Sequence, residues 1–118
     1  MGDRKKVVFI AGPLTGDRYW EEFEKAEDDI TALGYIPLSP SRLPEGLSRA
    51  QATRIHAAMI DSADAVLFLP GWGVCDACKL ARDYCERIGK PAVFCLTCGM
   101  DNKTRYARTS QHLREVLG

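Results

Sequence analysis

The segment KVVFIAGPLTG, Lys6 to Gly16, joins a continuous apolar run to a Gly-Pro turn. An apolar run without alternation is typical of a strand that is buried on both faces, as in a parallel sheet covered by helices on each side. Gly12, Pro13 and Thr15 follow this strand directly. Because ligands of doubly wound folds bind beyond the carboxyl ends of the strands, the segment predicts both a fold class and one wall of a binding site.

Further strands and helices alternate along the chain. Apolar runs indicate strands, and apolar residues spaced three and four apart indicate helices. A capping box at Ser48 and Gln51 opens the second helix, and Gly89 ends the third. The predicted strands cover 6–11, 35–38, 65–69 and 92–96, and the predicted helices begin near 19 and 48 and cover 76–88 and about 110–117. This alternation predicts an α/β fold, a small doubly wound parallel sheet of four or five strands of the flavodoxin or Rossmann type.

The composition narrows the class of protein. The chain has 118 residues, enough for one domain over 1–118, with a core at 6–97 and a C-terminal helix at about 110–117. Its 16 basic and 16 acidic residues argue against a nucleic-acid binder that works by bulk charge. The basic tail from Asp101 onward is expected to be solvated surface.

No apolar run approaches the ~18 residues of a membrane span and no signal peptide is evident, so we expect no membrane partner and a cytoplasmic location.

A second loop, PGWGV at Pro70 to Val74, follows the third predicted strand at the same edge of the sheet. An aromatic side chain such as Trp72 can stack there on a base or on the face of a sugar, or it can instead cap the core. Cys75 comes next, at the start of the third helix. We therefore expect Gly71, Trp72 and Cys75 to line a pocket together with the residues of the first loop.

Several motifs together resemble one known superfamily. GPLTG, ALGY, SADAVLFLPGW and IGKP follow one another at characteristic spacings. With them the chain resembles, over most of its length, the nucleoside 2-deoxyribosyltransferase-like superfamily, and within it a small uncharacterised branch common in phage genomes. The resemblance implies a flavodoxin-like fold and a homo-oligomer. It also implies that catalytic members of the superfamily cleave the N-glycosidic bond of nucleosides or nucleotides, with a carboxylate as the nucleophile.

The resemblance further implies where the catalytic acids would stand. It places the nucleophile at Ala81, eight residues before the glycine that ends the third helix, and the second acid at His56. Neither residue is a carboxylic acid, so we expect the glycosidic-bond chemistry to be lost or strongly altered. Helical geometry turns the neighbouring Asp83 about 200° away, onto the solvated side. A shift of two residues in the count would instead make Asp83 the acid.

His56 lies on the inward face of the second helix, together with Ala52 and Met59. One interpretation, which we favour, is a packed histidine with a hydrogen-bond partner, since buried polar side chains usually have one. The other interpretation is an imidazole that contacts the ligand, donating to a phosphate or acting as an acid or base.

Four of the five cysteines form the pattern C-x2-C-x16-C-x2-C. Cys75, Cys78, Cys95 and Cys98 thereby have the spacing of a four-thiolate zinc site. Against zinc, Cys95 falls inside a predicted strand, Cys78 and Cys85 fit an apolar helix stripe, and the resembled fold requires no cofactor. Structural zinc therefore stays an alternative. A thioredoxin-like redox role for Cys75 and Cys78 is less favoured, because the surrounding fold is of another type.

The leading functional prediction is a protein that binds a small-molecule nucleotide or nucleoside. The alternative from the enzyme class is an N-glycoside hydrolase or deoxyribosyltransferase that uses a different acid, and the sequence leaves open whether the chain is an enzyme. A third alternative is an interaction protein held together by a zinc site of four cysteines. The predicted site residues are Gly12, Pro13, Thr15, His56, Gly71, Trp72 and Cys75.

Overall fold

Four parallel strands form one sheet in the computed structural model, which describes residues 4–15, 19–95 and 101–118. The strands are Val7–Ala11 (β1), Ile36–Leu38 (β2), Ala65–Phe68 (β3) and Ala92–Phe94 (β4), and the helices are Tyr19–Ala32 (α1), Arg49–Ser62 (α2), Asp76–Ile88 (α3) and Asn102–Leu117 (α4). The strand order is β2-β1-β3-β4, and all pairs are parallel. The predicted doubly wound α/β fold is therefore confirmed.

Alternate residues of the central strands enter two separate cores, because successive side chains of a strand point to opposite faces. Val8 and Ile10 of β1 belong to the core on one face, which α1 and α4 cover. Phe9 and Ala11 belong to the core on the other face, which α2 and α3 cover. Each face thus buries its own apolar set, which explains why β1 reads as an uninterrupted apolar run.

The strand order creates a crevice at the carboxyl edge of β1 and β3. From β1 the chain runs through α1 to β2 on one side, and from β2 it crosses through α2 to β3 on the other side. The connections therefore diverge from β1 in opposite directions, which is the topological switch point where such sheets bind ligands. The pairing of Ala11 with Phe68 marks the last paired residues of both strands at this edge.

Local signals define the ends of α2 and α3 as predicted. The Ser48 side chain accepts from the Gln51 N–H at 3.1 Å, and the Gln51 side chain accepts from the Ser48 N–H at 2.9 Å. These two bonds satisfy backbone donors that the helix itself leaves free. Gly89 ends α3 in the left-handed region at φ 70°, which a residue without a Cβ adopts at little cost.

The last helix is longer than predicted. It begins at Asn102 rather than near 110, after Asp101, whose carboxylate accepts from the Thr104 N–H at 2.7 Å. The expectation of a solvated basic tail is wrong for Arg105, which is 8% exposed and donates to Glu22 of α1 at 2.9 Å. Polar side chains of α4, including Thr109, thus face inward, and apolar periodicity does not detect such a face.

Charged pairs lie on the outward faces of the helices. On α3, for example, Arg82 and Glu86 form an ion pair at 3.0 Å, one turn apart. In the parts of the chain that the structure describes, no helix is both long and apolar enough to cross a bilayer.

Candidate functional site

Two adjoining cavities lie between α2 and α3, beside the carboxyl end of β1. The inner cavity, of about 170 Å³, is lined by Phe9, Ala11, Gly12, Leu14, Thr15, Pro40, His56, Cys75, Ala77, Cys78 and Ala81. The outer cavity, of about 200 Å³, is lined by Thr53, His56, Ala57, Ile60, Ala77, Leu80, Ala81, Asp83, Tyr84 and Arg87. Each is smaller than the roughly 300–1,000 Å³ of typical ligand sites. Because they share three residues, they form two ends of one groove, the α2–α3 groove.

The inner cavity brings together four of the seven predicted site residues. Gly12 and Thr15 come from the loop after β1, His56 from the middle of α2 and Cys75 from the start of α3. Gly12 has no room for a side chain, since an added Cβ would lie 3.0 Å from Leu69. The bare backbone of this loop therefore forms part of the cavity wall.

Pro13, Gly71 and Trp72 lie outside the inner cavity. The Trp72 ring packs edge-on against Phe68, with 5.3 Å between ring centroids, and lies 5.2 Å from Phe94. Trp72 thus joins the core under α2 and α3, which is the alternative role considered for it. Gly71, at φ 87°, lies beside Pro13 instead, and an added Cβ would be 3.2 Å from the proline Cγ.

The His56 imidazole lines both cavities and is half-buried. Its ring centroid lies 6.2 Å from that of Phe9, and burial lowers its pKa. Among the described residues it has no hydrogen-bond partner, so the packed part of the favoured interpretation agrees with the Phe9 contact and the hydrogen-bonded part stays a prediction. A neutral imidazole offers one N–H donor and one acceptor nitrogen, and both are available to a ligand here.

Cys75 and Cys78 form the first turn of α3. Cys75 caps the helix, and its Sγ accepts from the Cys78 N–H at 3.4 Å. Cys75 is partly exposed, whereas Cys78 is 3% exposed. Burial, reinforced by the adjacent Cys75 sulfur, raises the pKa of Cys78 well above its usual range. The two thiols therefore differ in access to solvent although they are neighbours.

The other described cysteines lie elsewhere. Cys95 belongs to the core under α1 and α4, where its Sγ accepts from the Thr109 hydroxyl at 3.6 Å. It is therefore on the opposite side of the sheet from Cys75 and Cys78, and Cys98 lies outside the described residues. Within 4–15, 19–95 and 101–118, no three His, Cys, Asp or Glu side chains converge on a position suited to a metal ion. Cys75, Cys78 and Cys95 are thus not brought together, and the alternative of structural zinc stays untested.

Asp83 lines the outer cavity although its side chain is exposed. Its exposure agrees with the predicted solvated side, but its position at the rim of the groove was not predicted. The signal was present, because Leu80, Asp83 and Arg87 lie three and four residues apart at the edge of the groove-facing stripe of α3. No Asp or Glu is among the described residues that line the inner cavity.

Sequence reasoning missed most of the apolar residues that line the groove. Leu14 and Pro40 follow β1 and β2 directly, so their place after a strand was the signal for them. Thr53 and Ala57 flank His56 at helical spacing on α2. They could have been found by extending the inward face of that helix around His56.

Comparisons with known proteins support this fold and identify a family. Residues 6–94 match the model of the family described as "Domain of unknown function (DUF4406)". No curated protein matches the chain. The chain is similar to the solved structure of a 2-deoxyribosyltransferase from the psychrotolerant bacterium Bacillus psychrosaccharolyticus, with a TM-score of 0.63 and 20% identity over 75% of this chain and 70% of that chain. At this identity the likeness shows a shared fold. Because the family model matches most of its length, the chain belongs to the DUF4406 family.

Proposed function

We propose that the chain binds a nucleoside or nucleotide in the α2–α3 groove and that the usual glycosidic-bond chemistry is lost or strongly altered. One observation carries the proposal. His56 and Ala81, the positions at which the resemblance puts the two catalytic acids, both line the inner and the outer cavity. The groove thus includes both positions, and neither of them carries a carboxylate. The shared fold with a 2-deoxyribosyltransferase supports a nucleoside-like ligand.

The groove offers suitable contacts for such a ligand. Leu14 provides exposed apolar surface against which a base or the face of a sugar can pack, and the buried Phe9 and Pro40 lie behind it in the cavity lining. The Thr15 hydroxyl and the His56 imidazole provide hydrogen-bonding groups at the same cavity. A mostly apolar pocket with a few converging polar groups is the usual composition of a small-molecule site.

Catalysis of the retaining type would require two carboxyl groups about 5–5.5 Å apart at the scissile bond. The described lining of the inner cavity contains no carboxylic acid. Ala81 cannot form a covalent sugar intermediate, and an imidazole at position 56 does not supply the missing nucleophile next to it. Binding without rapid bond cleavage is therefore the function that the groove supports best.

A thermal-shift and calorimetric panel of nucleosides and nucleoside monophosphates tests the proposal, with chromatography of each mixture for free base. We expect a stabilising shift with at least one member and no base release. His56→Gln should weaken that binding about tenfold, since a hydrogen bond to the ligand contributes on the order of 1.4 kcal/mol. His112→Gln, a change of the exposed histidine on α4, is the matched control. A flat response of the folded protein to the whole panel would overturn the proposal.

A second candidate function is N-glycoside hydrolysis or transfer that uses Asp83. The observation in its favour is that Asp83 lines the outer cavity together with Tyr84 and Arg87. On this alternative, wild-type protein releases free base and Asp83→Asn abolishes the release, whereas Asp76→Asn does not. Asp76 is the matched control because it is an exposed acid on the same helix that lines neither cavity. Base release that survives Asp83→Asn would exclude this role.

A further inference from the structure

We propose that Cys75 and Cys78 form a reversible disulfide in the wall of the inner cavity. The proposal goes beyond ligand binding and does not depend on it. Its starting point is the geometry of the first turn of α3, where the Cys75 sulfur already contacts the Cys78 backbone N–H at 3.4 Å. A C-x-x-C pair at a helix start is also the arrangement found in disulfide oxidoreductases.

Thiol–disulfide exchange begins at a thiol that the oxidant can reach, and the two cysteines differ in their access to solvent. Cys75 is partly exposed, and the preceding Val74 is 87% exposed, so a small-molecule disulfide can reach the Cys75 sulfur from solvent. Cys78 is 3% exposed and can be reached only from Cys75 or from within the cavity. Cys85 and Cys95 are buried in the cores, at 0% and 8% exposure. Of the described cysteines, this pair alone combines proximity with access.

The proposed oxidant is a low-molecular-weight disulfide such as oxidised glutathione. The Cys75 thiolate attacks one sulfur of the oxidant, forms a mixed disulfide and releases one glutathione thiol. The Cys78 thiolate then attacks the Cys75 sulfur, forms the Cys75–Cys78 bond and releases the second glutathione. The two cysteines together lose two electrons and two protons, and the oxidant gains them as two thiols. Burial raises the pKa of Cys78 and shields its sulfur from solvent, which disfavours Cys78 as the first nucleophile and leaves it the second, resolving role.

Oxidation would change the cavity directly. The Cys75 sulfur now accepts from the Cys78 N–H, and a bond to the Cys78 sulfur, about 2.05 Å long, would draw it toward that side chain. Both residues line the inner cavity, so its shape would differ between the dithiol and the disulfide.

Mass spectrometry of the full-length protein tests the proposal. Reduced protein is equilibrated with increasing ratios of oxidised to reduced glutathione, denatured in acid, alkylated and cleaved with trypsin. Both cysteines fall in the single peptide Ile55–Lys79, whereas Cys85 falls in Asp83–Arg87. We expect Ile55–Lys79 to lose two hydrogens as the ratio rises and to regain them with dithiothreitol, while Cys85 stays alkylated. Two alkylated thiols in Ile55–Lys79 at the highest ratio would overturn the proposal.

Two variants assign the roles of the thiols. In Cys78→Ala the resolving thiol is missing, so glutathione should accumulate on Cys75 as a stable adduct. In Cys75→Ala the remaining thiol is buried, so Ile55–Lys79 should carry no adduct. Circular dichroism establishes that each variant is folded, and absence of the adduct in folded Cys78→Ala would contradict the proposed order of attack.

Discussion

At the scale of single residues, the imidazole of His56 connects the groove to solution pH. It packs on Phe9, lines both cavities and has no hydrogen-bond partner in the described part of the chain. Burial lowers its pKa, so the ring is neutral near pH 7. A neutral ring can donate one hydrogen bond and accept another, which suits the amide-like edge of a base or a sugar hydroxyl.

The lowered pKa of His56 predicts that stability falls on mild acidification. The unfolded chain takes up a proton near the ordinary value of 6.5, whereas the folded chain resists it until a lower pH. The contribution of neutral His56 to the free energy of unfolding is therefore fully present above pH 6.5. It is lost as the pH falls from 6.5 toward the lower pKa of the folded protein. We expect urea denaturation from about pH 7.5 to about pH 5 to show this loss.

His56→Gln should remove that pH dependence, and His112→Gln should retain it. The paired carboxylate Asp64 does not interfere, because the hydrogen bond from Arg4 lowers its pKa below 3.8 and its effect lies at more acidic pH. Identical slopes for wild type and His56→Gln across the window would contradict the prediction.

At the scale of elements, α3 supplies one side of the groove with small residues. Ala77 and Ala81 line both cavities, one turn apart. Their small side chains leave open the space between α2 and α3, since an alanine stripe allows two helices to flank a cavity that longer side chains would occupy. The width of the groove thus depends on residue size along α3.

Ala81→Leu should block the groove without unfolding the protein. The larger side chain projects into existing space, so we expect the free energy of unfolding to change by less than about 1 kcal/mol. Affinity for the nucleoside or nucleotide found in the panel should fall at least about tenfold, because ligand and leucine compete for one volume. Ala58→Leu, an exposed alanine on α2, is the matched control for calorimetry. Unchanged affinity in Ala81→Leu would place the ligand elsewhere.

The helix α4 is fixed to α1 by a partly buried ion pair. Arg105 has a side chain that is 9% exposed, whereas its partner Glu22 is 41% exposed. The exposed partner can be rehydrated when the pair is broken, but the guanidinium cannot. Removal of the acid is therefore the more costly of the two changes.

Glu22→Gln should destabilise the fold by about 1–2 kcal/mol, since it removes the carboxylate that accepts a hydrogen bond from the buried Arg105. Glu86→Gln is the matched control. It breaks the pair between Glu86, whose side chain is 59% exposed, and Arg82, whose side chain is 32% exposed. This change should lower the free energy of unfolding by no more than about 0.5 kcal/mol. Urea denaturation of both variants measures the difference, and equal values would show that burial of Arg105 contributes nothing.

At the scale of the whole molecule, the sequence predicted the sheet and most element limits because local signals and global fold agree. The capping box at Ser48 and the glycine at 89 place helix ends within a residue, and continuous apolar runs identify strands buried on both faces. The start of α4 was missed because its inward residues include Arg105 and Thr109, which apolar periodicity does not count. Asp101 as an N-cap was the available signal.

The candidate site was predicted less completely than the fold. A residue after a strand can turn toward either face of the sheet, and neither Trp72 nor Pro13 has a local signal that decides this. Trp72 packs on Phe68 and Phe94 because a short turn over 72–74 directs its ring toward them. Such a choice depends on tertiary contacts and is not encoded in neighbouring residues.

The placement of the cysteines predicts substoichiometric zinc in purified protein. Cys95 lies under α4, whereas Cys75 and Cys78 lie on the other side of the sheet, so three thiolates do not converge. We expect less than about half an equivalent of zinc by mass spectrometry of metals, and no change in melting temperature with a chelator. One full equivalent that disappears in Cys98→Ser would contradict this prediction.

The pairing of β1 with β3 also joins segments that lie far apart along the chain. The carboxylate of Asp64 accepts from the Val7 N–H across 57 residues of chain, just before the two central strands pair. The entropy of closing that long loop is lost before the pairing can compensate for it, so we expect this pairing to form in a slow, non-local step of folding. The amides of β1 and β3 should consequently be the slowest to exchange with deuterium, because only complete unfolding releases them.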